Sequence, residues 1–518
     1  MNSFRKLFER VYWPAILSGV LLVLSFPTAE LFPLAWIAFV PLLFFLYDKD
    51  HWTAFKAGFY FGLVYFFGTL YWIYYSIHYY GAVPLVPSFL LVLILCMYFS
   101  LYPAFFALLY AANMKRTDMP ALIVAPLLWT TLEFLRSYVL GGFPWSSLGY
   151  SQYTFLPVIQ IADITGVYGV SFLIVAVNAA IVDVVLFKRR HKERPLASFL
   201  PTISGFIALA LFIVFTLSYG AYRMHQHRSG PTVKVAVIQG DIEQDKKWDP
   251  TYQQTVMNVY RDLSFSAARE MPELVVWPET SVPFFYRTDK ELTAYMVSFE
   301  RQLNAYLLFG SVMAIDRNEN PKSSSTRYTN SALLLDKNGT ITYIYDKIHL
   351  VPFGEFMPLR GLLSFVDLTG AIGDFVPGES YTKAVTPFGS FGTVICYEII
   401  FPGLVRKFYA NGGDFIVTIT NDAWFGKTPG PYQHFSMAVF RAIENRKPVI
   451  RSANTGISGF IDSCGRILAK TDIFTRTYLV SSVKTDRTLS PYTKYGDIFS
   501  YLSIIGTLLL LIRKRNRF

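Results

Sequence analysis

The chain has 518 residues, long enough for more than one domain, and is 53% hydrophobic and 17% aromatic with only 16% charged residues. An ordinary soluble domain is about a quarter charged, so part of this chain belongs in lipid. The net charge of +11 does not indicate nucleic-acid binding, because the basic residues sit at the ends of apolar stretches rather than on one face, and three cysteines (Cys96, Cys396, Cys464) are too few for a disulfide scaffold.

The N-terminal MNSFRKLFER leads into an apolar run, as a signal peptide would. No small-residue cleavage site opens onto a soluble region, however, and further apolar runs follow at once, so the segment reads as a first span. Crossing a hydrocarbon core of roughly 30 Å takes about 20 mostly apolar residues. About eight stretches qualify, near 12–29, 31–47, 55–80, 84–112, 119–140, 161–187, 197–222 and 494–513, the second being short and carrying Pro33. Lys and Arg cluster at the N-terminus, in DKDHWTAFK near residue 50, in KRTD at 115–118, in KRRHKER at 188–194 and in the terminal RKRNRF. The alternating links near 30, 81, 141 and 228 carry few basic residues. Eight spans put every basic segment on one side, which the positive-inside rule makes the cytoplasm. The polar stretch between spans seven and eight is then outside. This divides the chain into a helical part at 1–227, a domain at 228–490, and a last span with a basic tail at 491–518.

Some polar residues fall inside these spans. Glu133 and Arg136 are three apart and share a helix face, where they can pair and hold the bundle together. Asp163, Asn178 and Asp183 lie in or near span six. Intramembrane charge is a functional hypothesis by default. Cys96, in an apolar helix, reads as filler.

From residue 231 the periodicity changes. Strands are expected at TVKVAVIQG (232–240), ELVVWPET (273–280) and YLLFGSV (306–312), with helices near 250–269 and 289–304 between them. The segment 331–347 reads as a hairpin around Asn338-Gly339. Further strands follow at GTVICYEI (392–399), FIVTITND (415–422), PVIRSAN (448–454) and GFIDSCGRIL (459–468), with helices opening at Pro402 and covering 433–446. Alternating helices and near-continuously apolar strands indicate α/β layers with buried sheets.

Three ionisable residues stand at or just after the ends of apolar strands: Glu279, Lys347 and Cys396. Strand ends are where α/β folds build their sites. A thiol is only slightly ionised at neutral pH, so it needs a base to become a nucleophile. Glu279 serves if burial raises its pKa, while a cationic Lys347 steadies the oxyanion of a tetrahedral intermediate and a following helix N-terminus favours thiolate. Taken singly, a lysine after a strand is an ordinary solvated end and a cysteine in an apolar strand is ordinary packing. Their order and context give them a common chemistry. His349 and His434 are far apart and lack an H-x₃-H spacing, so no metal site is expected.

The order Glu, Lys, Cys in WPET, YDKIHLVPFGEF and ICYE, with TNDAWFG (420–426) and RAIENRKPVIRSANTG (441–456), resembles the carbon–nitrogen hydrolase (nitrilase) superfamily over roughly 230–485. The eight spans, GFPWSSLGYSQ (142–152), KKWDP (246–250) and HLVPFGEFMP (349–358) narrow the likeness to the apolipoprotein N-acyltransferase family over nearly the whole chain. The resemblance implies a multi-pass α-helical membrane bundle carrying an extracytoplasmic α/β domain of nitrilase type, an αββα sandwich. It makes Glu279 the general base, Lys347 the oxyanion stabiliser and Cys396 the nucleophile. Glu355 matches a supporting glutamate, Tyr397 and Glu398 match needed positions beside the nucleophile, and Asn330 matches an asparagine near the site. Trp248 matches a loop tryptophan linked to substrate access. Trp145 lies in the segment before span six. Both tryptophans can equally be interfacial anchors.

The implied reaction is a two-step transfer in a bacterial inner membrane. Cys396 takes an acyl chain from a phospholipid as a thioester, and the α-amino group of an S-diacylglyceryl-cysteine apolipoprotein then accepts it. No cofactor is needed, since the thioester keeps the energy of the ester. A self-contained triad suggests a monomer. The amine must outcompete water, so an apolar, lidded pocket is expected, with the aromatic segment near 364–375 as one contributor. Two other readings are a membrane-tethered amidase, which would need only one span, and a non-catalytic scaffold, which would not need an intact triad. Cys464 reads as a plain strand residue, placed apart from Cys396.

Overall fold

The computed structural model describes residues 12–191, 200–226, 230–315, 327–356 and 375–513, with side chains left aside at 187–191. The chain divides into two compact units, one formed by 1–226 with 495–518 and the other by 227–494.

The first unit is helical, and helical segments occupy each of the eight expected intervals. Three helices are long and apolar enough to cross a membrane among the described residues: Leu85–Arg116, Val167–Leu186 and Leu200–His225. Large apolar side chains such as Leu211, Val214, Leu508 and Leu509 remain exposed, as expected of faces that meet lipid rather than water. The helices His51–Leu70 and Leu85–Arg116 approach closely through small residues; a Cβ at Gly58 would stand 2.2 Å from the Pro103 carbonyl oxygen.

The buried polar groups of this unit tie down helix ends and loops. Asp183 accepts from the amides of Ala121 and Leu122 at 3.0 and 2.9 Å, capping the helix Ala121–Arg136. Asn178 bridges the backbone at Ala35 and Phe39. Asp163 pairs with Arg223 at 2.8 Å. Arg136 donates to the carbonyls of Phe143 and Trp145, both at 2.7 Å, and Glu133 accepts from the Leu148 amide at 2.7 Å. These two side chains therefore hold the 143–148 segment in place. The basic tracts at 5–10 and 514–518 and residues 192–194 lie outside the described residues.

The second unit contains two six-stranded sheets, ordered β12-β1-β2-β3-β4-β5 and β11-β10-β9-β8-β7-β6. In the first, β1 (Thr232–Gln239), β2 (Leu274–Val276) and β3 (Tyr306–Ile315) run parallel. β4 (Arg327–Leu335) and β5 (Ile341–Asp346) continue the sheet antiparallel. In the second, β6 (Ala384–Thr386) pairs antiparallel with β7 (Gly389–Ile395), followed in parallel by β8 (Phe415–Thr420) and β9 (Val449–Ala453). β10 (Gly459–Ile461) and β11 (Ile467–Lys470) complete that sheet, and β12 (Thr477–Lys484) pairs with β1.

Every residue of β8 and β9 is buried, as in strands covered on both faces, and the polar Thr418, Thr420, Arg451 and Ser452 are buried with the rest. Helices Gln253–Ala268 and Lys290–Leu303 cover the first sheet through a core centred on Trp277, Phe299 and Phe309. The two sheets meet through bonds such as Ser452 Oγ to the Ile238 carbonyl and Ser458 Oγ to Gln239.

GFIDSCGRIL is not a single strand. Asp462 accepts from the amides of Cys464 and Arg466 at 2.8 and 2.9 Å, and Gly465 has φ +81°, so a tight turn separates β10 from β11. Cys464 sits in that turn. All three cysteines are free thiols.

Candidate active site

The parallel strands deliver their carboxyl ends to one place. Glu279 follows β2 by three residues, Lys347 follows β5 directly, and Cys396 follows β7 directly. Lys347 Nζ lies 2.9 Å from Glu355 Oε1 and 3.5 Å from Glu279 Oε1. Asn330 Nδ2 donates to both carboxylates at 2.8 Å. The remaining oxygens are also fixed: the Asn421 amide donates to Glu279 Oε2 at 2.9 Å and the Val351 amide to Glu355 Oε2 at 2.8 Å. Two carboxylates, an ammonium and a carboxamide thus form one network, buried except at the partly exposed Glu355.

Cys396 is buried and sits at φ +51°, in the left-handed region, at the start of a 3-10 turn (Cys396–Ile400) rather than within the strand. Burial pushes its thiol up, the Glu279 charge adds to this, and Lys347 opposes it. Burial and the Glu279 charge thus favour the neutral thiol. Burial alone would push the Lys347 ammonium down, but Glu355, Glu279 and Cys396 outweigh it and hold the group cationic. A carboxylate and a cationic ammonium thus both act electrostatically on the buried sulfur.

Glu398 makes its bonds outside this network. Its Oε1 accepts from Tyr345 Oη and from the Ile348 and His349 amides at 2.6, 2.8 and 3.1 Å, and its Oε2 accepts from the Ile395 amide at 2.7 Å. It fastens the end of β7 to the segment after β5. Burial raises its carboxyl to about 7. Tyr397 and Phe401 flank His349, whose imidazole is pushed down to about 4 by burial and by Lys347. Trp248 is half-buried and packs on Phe285, which stacks on Tyr328.

Of the residues expected from sequence, Glu279, Lys347, Glu355 and Asn330 bond one another directly, Cys396 lies within reach of the charges of Glu279 and Lys347, and Tyr397 and Glu398 lie on the turn that Cys396 opens. Trp248 lies in the same unit, on the loop before Gln253–Ala268. Trp145 belongs to the helical unit, where it is buried against Trp72 and Phe143. Most of the aromatic segment near 364–375 lies outside the described residues.

Sequence reasoning missed Lys247. It is fully buried, and its Nζ donates to the Glu279 carbonyl at 3.1 Å and to Thr280 Oγ1 at 2.7 Å. Burial lowers it to about 7 despite the Glu279 charge. The only signal was its place in KKWDP beside Trp248. Gly310 was missed as well: a Cβ there would stand 2.4 Å from the Thr280 nitrogen and 2.6 Å from Glu279 Cα, so the turn carrying Glu279 presses on bare backbone. Among the described residues, no group of three or more His, Cys, Asp or Glu side chains is placed to hold a metal ion.

Comparison with known proteins covers both units. Residues 18–180 match the apolipoprotein N-acyltransferase N-terminal domain, and residues 234–490 match the carbon-nitrogen hydrolase model. An apolipoprotein N-acyltransferase of Geobacter metallireducens is 42% identical over 98% of this chain and 95% of its own length. One from Pasteurella multocida is 34% identical over 99% of this chain and 97% of its own. Among solved structures, an amidase from Nesterenkonia sp. is 18% identical with a TM-score of 0.38, covering 50% of this chain and 93% of that one.

Proposed function

The chain belongs to the apolipoprotein N-acyltransferase family, and from that premise we propose that it performs its acyl transfer in two half-reactions through a thioester on Cys396. In the first, Glu279 takes the thiol proton as sulfur adds to the ester carbonyl of a phospholipid acyl chain. The oxygen that becomes negative is stabilised by Lys347. Collapse of the intermediate breaks the ester bond, Glu279 returns the proton to the departing alkoxide, and a lysophospholipid leaves. In the second, the α-amino group of an S-diacylglyceryl-cysteine apolipoprotein adds to the thioester carbonyl and gives up a proton to Glu279. The C–S bond breaks, the thiol is restored and an amide is formed.

The observation that carries this reading is the network of Lys347, Glu279, Glu355 and Asn330 around a buried thiol. Glu355 and Asn330 hold the base and the ammonium in register. Glu398 and Tyr397 shape the turn that presents the sulfur, and Trp248 lines the approach of substrate. Trp145 belongs to a segment assigned to the same side of the bilayer as the α/β unit. Both substrates are lipid-anchored, which fits a catalytic domain (228–490) between the seventh of about eight spans (within 1–227) and the last one (within 491–518). The placement of basic loops supports an extracytoplasmic catalytic domain in a bacterial inner membrane, and the complete triad within one chain supports a monomer that works without a cofactor.

The test is to incubate the protein with acyl-labelled phospholipid and seek a hydroxylamine-sensitive label on Cys396. The label should appear, should discharge on adding a diacylglyceryl peptide, and should be absent from a folded Cys396→Ala variant. Turnover by that variant would overturn the assignment.

A further inference from the structure

Behind the nucleophile lies a second buried network that the reaction scheme above does not use. His434, in the helix Gly430–Asn445, places Nε2 3.1 Å from the carbonyl oxygen of Cys396. A carbonyl only accepts, so this nitrogen carries the proton. On the other side of the ring, Nδ1 lies 3.0 Å from Asp422 Oδ1 and 3.0 Å from Arg451 Nη2. Arg451 also donates to Asp422 Oδ2 at 2.8 Å, and Thr420 donates to Asp422 Oδ1 at 2.8 Å. His434, Asp422 and Arg451 are all fully buried. Gly456 closes the network from outside, since a Cβ there would stand 2.2 Å from Asp422 Oδ2.

Burial, reinforced by the Arg451 charge, lowers the His434 pKa, against the opposing pull of Asp422. Burial alone would raise Asp422, but Arg451 and His434 outweigh it and bring its carboxyl down to about 2. The ring donates to the Cys396 carbonyl through Nε2, while Asp422 and Arg451 together hold its Nδ1 edge.

We propose that His434 is a positioning residue for acyl transfer: held by Arg451 and Asp422, it locks the Cys396–Tyr397 peptide plane at the strained nucleophile. In a planar trans peptide the N–H points opposite to the carbonyl. Fixing the Cys396 carbonyl therefore fixes the Tyr397 amide as a preorganised donor for the oxygen that turns negative when sulfur adds to the acyl carbonyl. Donation to the carbonyl also polarises that amide. The inference rests on the reading that Cys396 carries the acyl group.

The experiment compares two reactions of the same sulfur in the full chain: acylation by labelled phospholipid, and alkylation by iodoacetamide mapped to Cys396. Alkylation substitutes at a saturated carbon and develops no oxyanion. His434→Phe should slow acylation by roughly 10- to 100-fold, leave alkylation within about three-fold, and leave the KM for phospholipid little changed. His434→Gln, whose amide nitrogen reaches the place of Nε2, should recover most of the acylation rate. The proposal is overturned if the Phe variant acylates as wild type does, if acylation and alkylation fall together, or if Gln is as slow as Phe. If the Phe variant does not accumulate, the decision passes to His434→Gln against His434→Asn, whose shorter side chain cannot reach; equal acylation rates would overturn the proposal. Wild-type protein that takes no label at all would instead defeat the acyl-enzyme reading itself.

Discussion

The charge state of Lys247 sets a pH signature that no exposed lysine would give. Folding lowers its pKa from the ordinary 10.5 to about 7. Between those two values the unfolded chain holds a proton that the folded chain does not, so stability rises with pH across that window. Below about 7 both states are protonated and the contribution levels off. Wild-type protein should gain thermal stability between pH 7 and 9.5, by an amount on the order of a few kcal/mol at most. Lys247→Met should flatten that part of the Tm profile, and loss of the bonds to the 279–280 turn should also slow acylation. An unchanged Tm slope in the variant would show that Lys247 is not the titrating group. The residues of this site were unequally legible. Glu279, Lys347 and Cys396 each close an apolar strand, a mark that a single segment carries. Lys247, Asn421 and His434 reach the site from remote segments, Asn421 bonding Glu279 across 142 positions; KKWDP and TNDAWFG mark the first two only as parts of a motif, and the spacing of His434 does not point to Cys396.

At the scale of elements, the site depends on close backbone contacts between strands and turns. β3 carries Gly310, which receives the Pro278–Ser281 turn: its amide donates to the Pro278 carbonyl at 3.1 Å and its carbonyl accepts from Ser281 at 2.9 Å. Gly310→Ala should fold with the turn displaced and form acyl-enzyme about ten-fold or more slowly, because misplacing a reacting group by a fraction of an ångström is enough for that. A measured acylation rate equal to wild type would show that the turn tolerates the methyl group. The strands legible in the sequence were those rich in apolar and β-branched residues, such as β8. β12 escaped notice because most of its residues are half-exposed, and β6 because three residues carry no periodicity. The segment 459–468 looked like one strand because the Asp462 turn is built by a side chain bonding its own backbone, which apolar patterning does not register.

For the whole molecule, the alternation of basic and non-basic links makes a claim about sidedness that labelling can check. A cysteine placed at exposed Glu270 should react with a membrane-impermeant maleimide on spheroplasts, whereas one at exposed Asp118 should react only after the membrane is permeabilised. The reverse pattern would invert the topology and remove the α/β unit from the outer face. The division into a helical part and an α/β part was readable because lipid and water demand different compositions. The pairing of β1 with β12 has a further consequence. Thr232 stands opposite Lys484, so the polypeptide comes into the α/β unit and departs from it on neighbouring strands. An insert with adjoining ends can be added to a host without prying the host apart, which makes this unit a cassette: a soluble ancestor could have been spliced into a membrane bundle, or a present-day one lifted out, by joining chain at just two nearby points.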